Sequence, residues 1–285
     1  SRFKHHRSTL RLSIGWLLSA MMVIGIAVSP AHAEETPYED TWKYRGEGSL
    51  AFEGLTNNYG FWEGVDAKLY ARINRKVTIF GNTIFWLRDS EPVGLAGVGA
   101  YIEWLSFLYT YTSVYGGTND PYNPLVRVDH DFNFKVGKDG FIVLTLGAMY
   151  LKYHTEYWDI APYAGVSAYL GPFVLGYRLI VNISNPDAVV GVSHLATLDY
   201  GTEGDHSSYL AVNYGKSAYS ATYLTTPQEV RQNSLRIGVG HRHWIKNNWG
   251  LFGEVNFLWL EQSYEKFGGL FGAFFTWAHL PYPEE

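Results

Sequence analysis

The sequence predicts an all-β fold: a transmembrane antiparallel up-and-down β-barrel of about 14 strands, with 12–16 as the range, following a cleaved signal peptide. Three observations predict it. Apolar and polar residues alternate with period two along most of the chain, as in strands with one lipid-facing and one wet face. The connectors fall into a short and a longer series that alternate. The chain also ends in an aromatic-rich strand of the kind that closes such barrels.

Composition sets the frame. The 285 residues include no Cys, which excludes a disulfide scaffold and a thiolate metal site. Only 17% are charged, while 10 Trp, 22 Tyr, 16 Phe and 30 Gly give an aromatic, glycine-rich chain that is not disordered. A formal net charge of −5 without basic clusters argues against a nucleic-acid partner.

Residues 1–33 read as a signal peptide. Arg2, Lys4, Arg7 and Arg11 form a basic head, Leu12 to Val28 an apolar stretch, and Ala31-His32-Ala33 a small-x-small cleavage site. A single membrane anchor is the competing reading, which Pro30 and the Ala-His-Ala site oppose. Cleavage takes the basic count from 22 to 18 against 27 acidic residues and brings the mature net charge to −9. Residues 34–46 are acidic, show no strand pattern, and are expected to form a periplasmic segment that meets a partner, folds back as a plug or serves as a linker.

The barrel is expected over residues 47–280. Gly171-Pro172 divides a charge-poor stretch into a hairpin: Ile160, Pro162, Ala164, Val166, Ala168 and Leu170 face one way, and Asp159, Tyr163, Gly165, Ser167 and Tyr169 the other. The next strand alternates Phe173, Leu175, Tyr177, Leu179, Val181 and Ile183 with Gly176, Arg178, Asn182 and Ser184. In 126–136 five strongly polar residues, Arg127, Asp129, Asp131, Asn133 and Lys135, occupy successive positions of one face. A small soluble sandwich would not bury that face.

Further strands are expected at 47–56, 62–73, 77–88, 96–104, 106–116, 141–154, 189–200, 207–222, 234–245, 249–261 and 269–280. Tight turns near 74–75, 105, 137–140, 171–172, 201–206 and 246–248 alternate with longer links near 57–61, 89–95, 117–124, 155–157, 185–188, 223–233 and 262–268. This places both termini on the periplasmic side. Trp104, Trp158, Tyr200, Trp244, Trp249, Trp259 and Trp277 sit near strand ends, as interfacial girdles do. A secreted sandwich or lectin-like domain is the soluble alternative, and the paired charges on the polar faces disfavour it. The terminal strand carries Gly272-x-x-Phe275-x-Trp277, similar to the signal read by the outer-membrane assembly machinery; the tail 281–285 follows it.

Turning polar faces inward gives Asp66, Lys68, Arg72, Glu103, Arg127, Asp129, Asp131, Lys135, Asp159, Tyr163, Tyr169, Arg178, Asp199, Arg236, Arg242 and Glu254 as candidate lumen and solute-contact residues. Strands about 4.8 Å apart and tilted about 40° would enclose a free passage of roughly 15 Å. The signs are balanced, so a polar, hydroxylated solute fits better than a single-signed ion. A wall of cross-strand ion pairs that merely satisfies a wet interior is the plainer reading.

Enzymatic activity is not expected, and neither a cofactor nor a metal site is read from the sequence. Of His130, His154, His194, His206, His241, His243 and His279, the adjacent Ser193-His194 point to opposite faces. His241 and His243 share a face but have no evident third ligand.

The run Tyr163-Ala164-Gly165-Val166-Ser167-Ala168-Tyr169-Leu170-Gly171-Pro172 followed by Tyr177-Arg178 resembles the central hairpin of YaiO-type outer-membrane β-barrel proteins. The strand order from about residue 48 to 280 and the Trp104-Leu105-Ser106 turn are similar too, so the likeness covers most of the mature chain. The resemblance implies a Gram-negative outer-membrane barrel, sometimes associated with exopolysaccharide systems, and supplies no catalytic residues. The implied partners are outer-membrane lipid, the assembly machinery during insertion, and periplasmic polysaccharide-export or envelope-complex proteins. Passage of a polar solute is the first expectation, a structural or docking subunit the second, and a lipid-modifying barrel the third.

Overall fold

A computed structural model describes residues 42–279, apart from 58–59, 89–90, 119–123, 138–139, 154–155, 217–232 and 262. The signal peptide, residues 34–41 and the tail 281–285 lie outside the described residues. Fourteen strands follow one another: β1 (Trp42–Leu55), β2 (Phe61–Asn74), β3 (Val77–Arg88), β4 (Glu91–Leu105), β5 (Leu108–Gly117), β6 (Val126–Val136), β7 (Ile142–Lys152), β8 (Trp158–Leu170), β9 (Phe173–Asn185), β10 (Val189–Thr202), β11 (His206–Lys216), β12 (Asn233–Lys246), β13 (Trp249–Leu260) and β14 (Glu265–His279). Each pairs antiparallel with its neighbours, and β1 pairs with β14 from Trp42↔His279 to Leu55↔Lys266, closing the barrel. Closure leaves no strand edge unpaired, the condition for a sheet to reside in lipid.

The alternation determines which side each residue takes. Leu50, Leu69, Val98, Val255 and Phe271 are large apolar residues exposed on the outer wall, Val98 at 66% and Val255 at 63%. Their immediate neighbours are smaller or polar and point inward. Among the described residues no helix is long and apolar enough to cross a membrane; the strands do the crossing. The Gly171-Pro172 turn between β8 and β9 has Gly171 at φ 61°, a left-handed conformation that glycine adopts without steric cost.

Several boundaries differ from the sequence reading. β1 begins at Trp42, so residues 42–46 of the expected periplasmic segment are strand, with Arg45 opposite Tyr70 and Thr276. β4 begins at Glu91 because Pro92, opposite Leu87 close to the hairpin end, does not prevent pairing there. β14 begins at Glu265, which brings Lys266 into the wall; residues 217–222 of the strand expected at 207–222 lie outside the described residues.

The girdle is partly corrected. Trp104, Tyr200 and Trp277 are exposed, but Trp244 is buried on the inner side against Phe274. Trp62 and Trp86 are also inward, packed with Val93, Leu55 and Ile84 at the loop end of the lumen. Leu258, Leu260 and Tyr264 continue that apolar lining through Leu55. The aromatic content therefore serves the interior as well as the lipid face.

Candidate functional site

The inner wall is the candidate site, and the strand register builds it. The ladder carries all sixteen candidates on the inner face, interspersed with glycine, serine and tyrosine. On β6, Arg127 Nε donates to Asp129 at 2.8 and 3.1 Å, and Ser113 Oγ donates to the same carboxylate at 3.0 Å. Asp131 receives the Tyr163 hydroxyl and lies 3.8 Å from Arg178, whose guanidinium sits 4.4 Å from the centre of the Tyr163 ring. Lys135 pairs with Glu103 at 2.8 Å across β5. Arg127 and Asp129 pair along β6, while Ser113–Asp129, Tyr163–Asp131, Arg178–Asp131 and Lys135–Glu103 cross strands, an arrangement that satisfies charges on a wet wall.

Other candidates are separate from that group. Asn82 donates to Asp66 at 2.9 Å, with Lys68 in electrostatic reach of Asp66 and Glu47. Tyr209 donates to Glu254 across Gly240. Asp159 faces Ser184 on the neighbouring strand, and Tyr169 faces Val174. Asp199 stands opposite Tyr209 and has one carboxylate oxygen without a hydrogen-bond partner among the described residues. Arg236 is placed between Asn213 and Leu258. Arg72 lies 3.8 Å from the Trp42 ring at the turn-side mouth.

At the same mouth Arg242 pairs with Glu47 at 2.9 Å, and Arg45 contacts both Glu47 at 2.8 Å and Glu203 at 3.2 Å. Glu203 belongs to the β10–β11 turn, so this contact reaches past β12, β13 and β14.

Sequence reasoning missed Arg45, Glu47, Glu53, Arg88 and Lys266. Arg45 and Lys266 fell outside the expected bounds of β1 and β14, whereas Glu47, Glu53 and Arg88 lay inside expected strands and their parity held the signal. Arg88 is sandwiched between Trp62 and Trp86 at 4.7 and 4.5 Å. It also missed a set of inward rings: Tyr70, Phe80, Tyr101, Tyr109, Tyr111 and Tyr115. A recurrent device lays such rings flat on the wall. A Cβ on Gly97, Gly99, Gly147 or Gly240 would collide with the ring of Tyr115, Phe80, Tyr163 or Tyr209 respectively. The glycines of the inner wall thus provide space for rings lying across them.

The described histidines are on the outer wall. His130 bonds Thr112, His194 bonds Tyr177, His206 bonds Asp205 and His241 bonds Ser208, at 2.7–2.8 Å. His206, His241 and His243 stack at 6.4 and 6.2 Å between ring centres, so a third imidazole does stand beside the pair. Stacked rings do not converge on one point, and no group among the described residues is arranged to hold a metal ion. His154 lies outside the described residues.

This geometry defines an outer-membrane type β-barrel with a polar, ring-lined lumen. The chain belongs to the YaiO membrane beta barrel domain family, whose model matches residues 44–220. In fold it is similar to the CymD monoaromatic hydrocarbon channel (TM-score 0.57, 7% identity, 85% of this chain and 90% of that one). It is likewise similar to a bacterial polysaccharide outer membrane secretin (TM-score 0.52, 8% identity, 84% and 100%). A third is the outer membrane protein Omp33 of Acinetobacter baumannii (TM-score 0.50, 9% identity, 83% and 99%). No curated protein matches the chain.

Proposed function

We propose that the barrel is a channel conducting a polar solute, and that its cargo is an exopolysaccharide leaving the cell. The observation that carries this reading is the inner wall itself, a mixed-sign, hydroxyl-bearing surface with rings laid flat against it. Hydroxylated solutes exchange hydrogen bonds with carboxylates, guanidinium groups and amides, and neither sign dominates to select an ion. The fold alone does not choose the cargo, since barrels similar to this one are described as a hydrocarbon channel and as a polysaccharide secretin. The outer-wall His130, His194, His206 and His241, bonded to Thr, Tyr, Asp and Ser on the side away from the lumen, support a channel reading over an enzymatic one.

Planar-bilayer recording from the purified barrel, with and without residues 34–41, tests conduction. Discrete conductance steps are expected, and their absence in both preparations overturns the channel. Cells lacking the protein are expected to retain polymer in the periplasm; unchanged secretion removes the polysaccharide assignment.

A second reading, a non-conducting docking subunit of an envelope assembly, is favoured by the Arg45–Glu203 contact, which ties a periplasmic turn to a distant strand. Co-purification of a periplasmic partner with a silent barrel would support it.

A further inference from the structure

The wall that faces the lumen from β2 to β5 is unlike the wall opposite. Phe80 is the base of a cluster: Tyr70 and Tyr101 each lie 5.8 Å from it, Tyr111 stacks on it at 5.9 Å and 6°, and Tyr101 and Tyr111 are 5.0 Å apart. Phe80 is 6% exposed and occupies the space a side chain at position 99 would fill. The three tyrosines cover it and remain half-buried, so their rings and hydroxyls form the surface presented to the lumen.

In a closed ring of fourteen, β4 stands opposite β11. There a single paired row runs Thr197, Ala211, Gly238, Asn256 and Gly268. These are small or amide side chains, so at this row the wall facing the tyrosine cluster carries no ring.

We propose that Tyr70, Tyr101 and Tyr111, seated on Phe80, form a stacking subsite for the rings of an uncharged saccharide chain. The proposal rests on the channel reading and names its substrate class. An aromatic face packs against the apolar face of a sugar ring, and the polar groups around the cluster supply what the ring's hydroxyls require. Asn82 and Asp66 stand to one side, and Ser113 accepts from the Tyr111 hydroxyl at 3.1 Å and donates to Asp129. A hydrocarbon in this place would take water from the donor and acceptor positions these groups do not use on one another, at a desolvation cost. The charges around the cluster are of both signs: Lys68 with Asp66 and Glu47 beside Tyr70, Asp129 with Arg127, and Asp131 with Arg178. They offer no surplus charge to attract an anionic or cationic polymer.

Calorimetric titration of the detergent-purified barrel with cellohexaose, maltohexaose and a sulfated hexasaccharide tests the subsite without requiring conduction. At least one neutral hexasaccharide is expected to bind. Tyr101→Ala should weaken it about three- to tenfold and Tyr101→Phe should leave it nearly unchanged, because the ring and not the hydroxyl makes the stack. If Tyr101→Ala fails to assemble, as judged by gel mobility before and after heating, Tyr111→Leu takes its place with the same expected loss. No binding by either neutral sugar, equal affinity in the ring-removing variants, or binding by the sulfated sugar alone overturns the proposal. A barrel that conducts but binds no sugar refutes the subsite and spares the channel; a silent barrel that binds sugar does the reverse.

Discussion

The hydroxyl of Tyr163 reaches the carboxylate of Asp131 across an intervening strand, its ring lying over Gly147, which has no side chain to obstruct it. Tyr163 belongs to β8, Gly147 to β7 and Asp131 to β6, and the register sets Gly147 directly opposite both. The contact thus binds three strands at once, with Arg178 of β9 adding a fourth.

Gly147→Val should therefore do more than perturb one strand. A Cβ there would stand 2.6 Å from both the Tyr163 ring and Asp131 Oδ1, so the ring must lift off the wall and the hydrogen bond must break. A loss of about 1–3 kcal/mol is expected from overpacking, read as a lower midpoint in urea unfolding of the reconstituted barrel. Tyr163→Phe, which removes only the hydroxyl, should cost about 1–2 kcal/mol by leaving the acid one partner short. Unaltered midpoints in both variants would show that the contact has no energetic weight.

The seam between β1 and β14 contains the pair Lys266–Glu53, 2.6 Å apart, with side chains 5% and 1% exposed. Breaking a pair this buried leaves an uncompensated charge, so Lys266→Met is expected to destabilise the barrel by about 3–5 kcal/mol. The double variant Lys266→Met, Glu53→Gln should recover part of that loss, since neither side then holds an unmatched charge. Thermal unfolding followed by gel mobility checks it, and a double variant no better than the single one would count against the pair's coupling.

The barrel class and strand number were legible because a two-residue period reports a wall with two unlike faces, and it persisted through charged strands such as β6. The same parity placed Asp131, Arg178 and Tyr163 on one face before their contacts were known. What the sequence did not reveal was which rings turn inward. Tyr70 and Tyr101 look like any strand aromatic, although Tyr70 shares its parity with Asp66, Lys68 and Arg72 and Tyr101 with Glu103; where inward rings lie depends on register, several of them covering a glycine of the adjoining strand. Trp244 illustrates the difficulty: near a strand end it resembles a girdle residue, yet opposite Gly250 it packs inward against Phe274. Strand ends were misjudged where Pro92 or Gly46 interrupts an otherwise regular alternation.

That distinction can be measured. Single-tryptophan variants retaining Trp277 or Trp104, both exposed on the outer wall, should be strongly quenched by brominated lipids. Variants retaining Trp62 or Trp244, inward and buried, should be quenched little. Quenching of Trp244 as strong as that of Trp277 would return it to the girdle.

At the turn-side mouth Arg45 of β1 holds Glu203 of the β10–β11 turn at 3.2 Å while Glu47 bridges Arg45 and Arg242. Glu203 and Arg45 lie on well-separated strands, so their meeting requires side chains to extend across the opening. The pair is partly buried, its side chains 12% and 25% exposed, but Arg45 keeps Glu47 when Glu203 is lost, so the contact adds little stability of its own while it occupies space where a solute would enter. Glu203→Ala is expected to raise single-channel conductance with little change in unfolding midpoint, whereas Glu47→Ala, which strips two arginines of their shared partner, should lower the midpoint as well. High salt should move wild-type conductance towards that of Glu203→Ala after correction for bulk conductivity, because screening weakens the contact. Equal corrected conductance in wild type and Glu203→Ala at low salt would mean that the pair does not narrow the mouth.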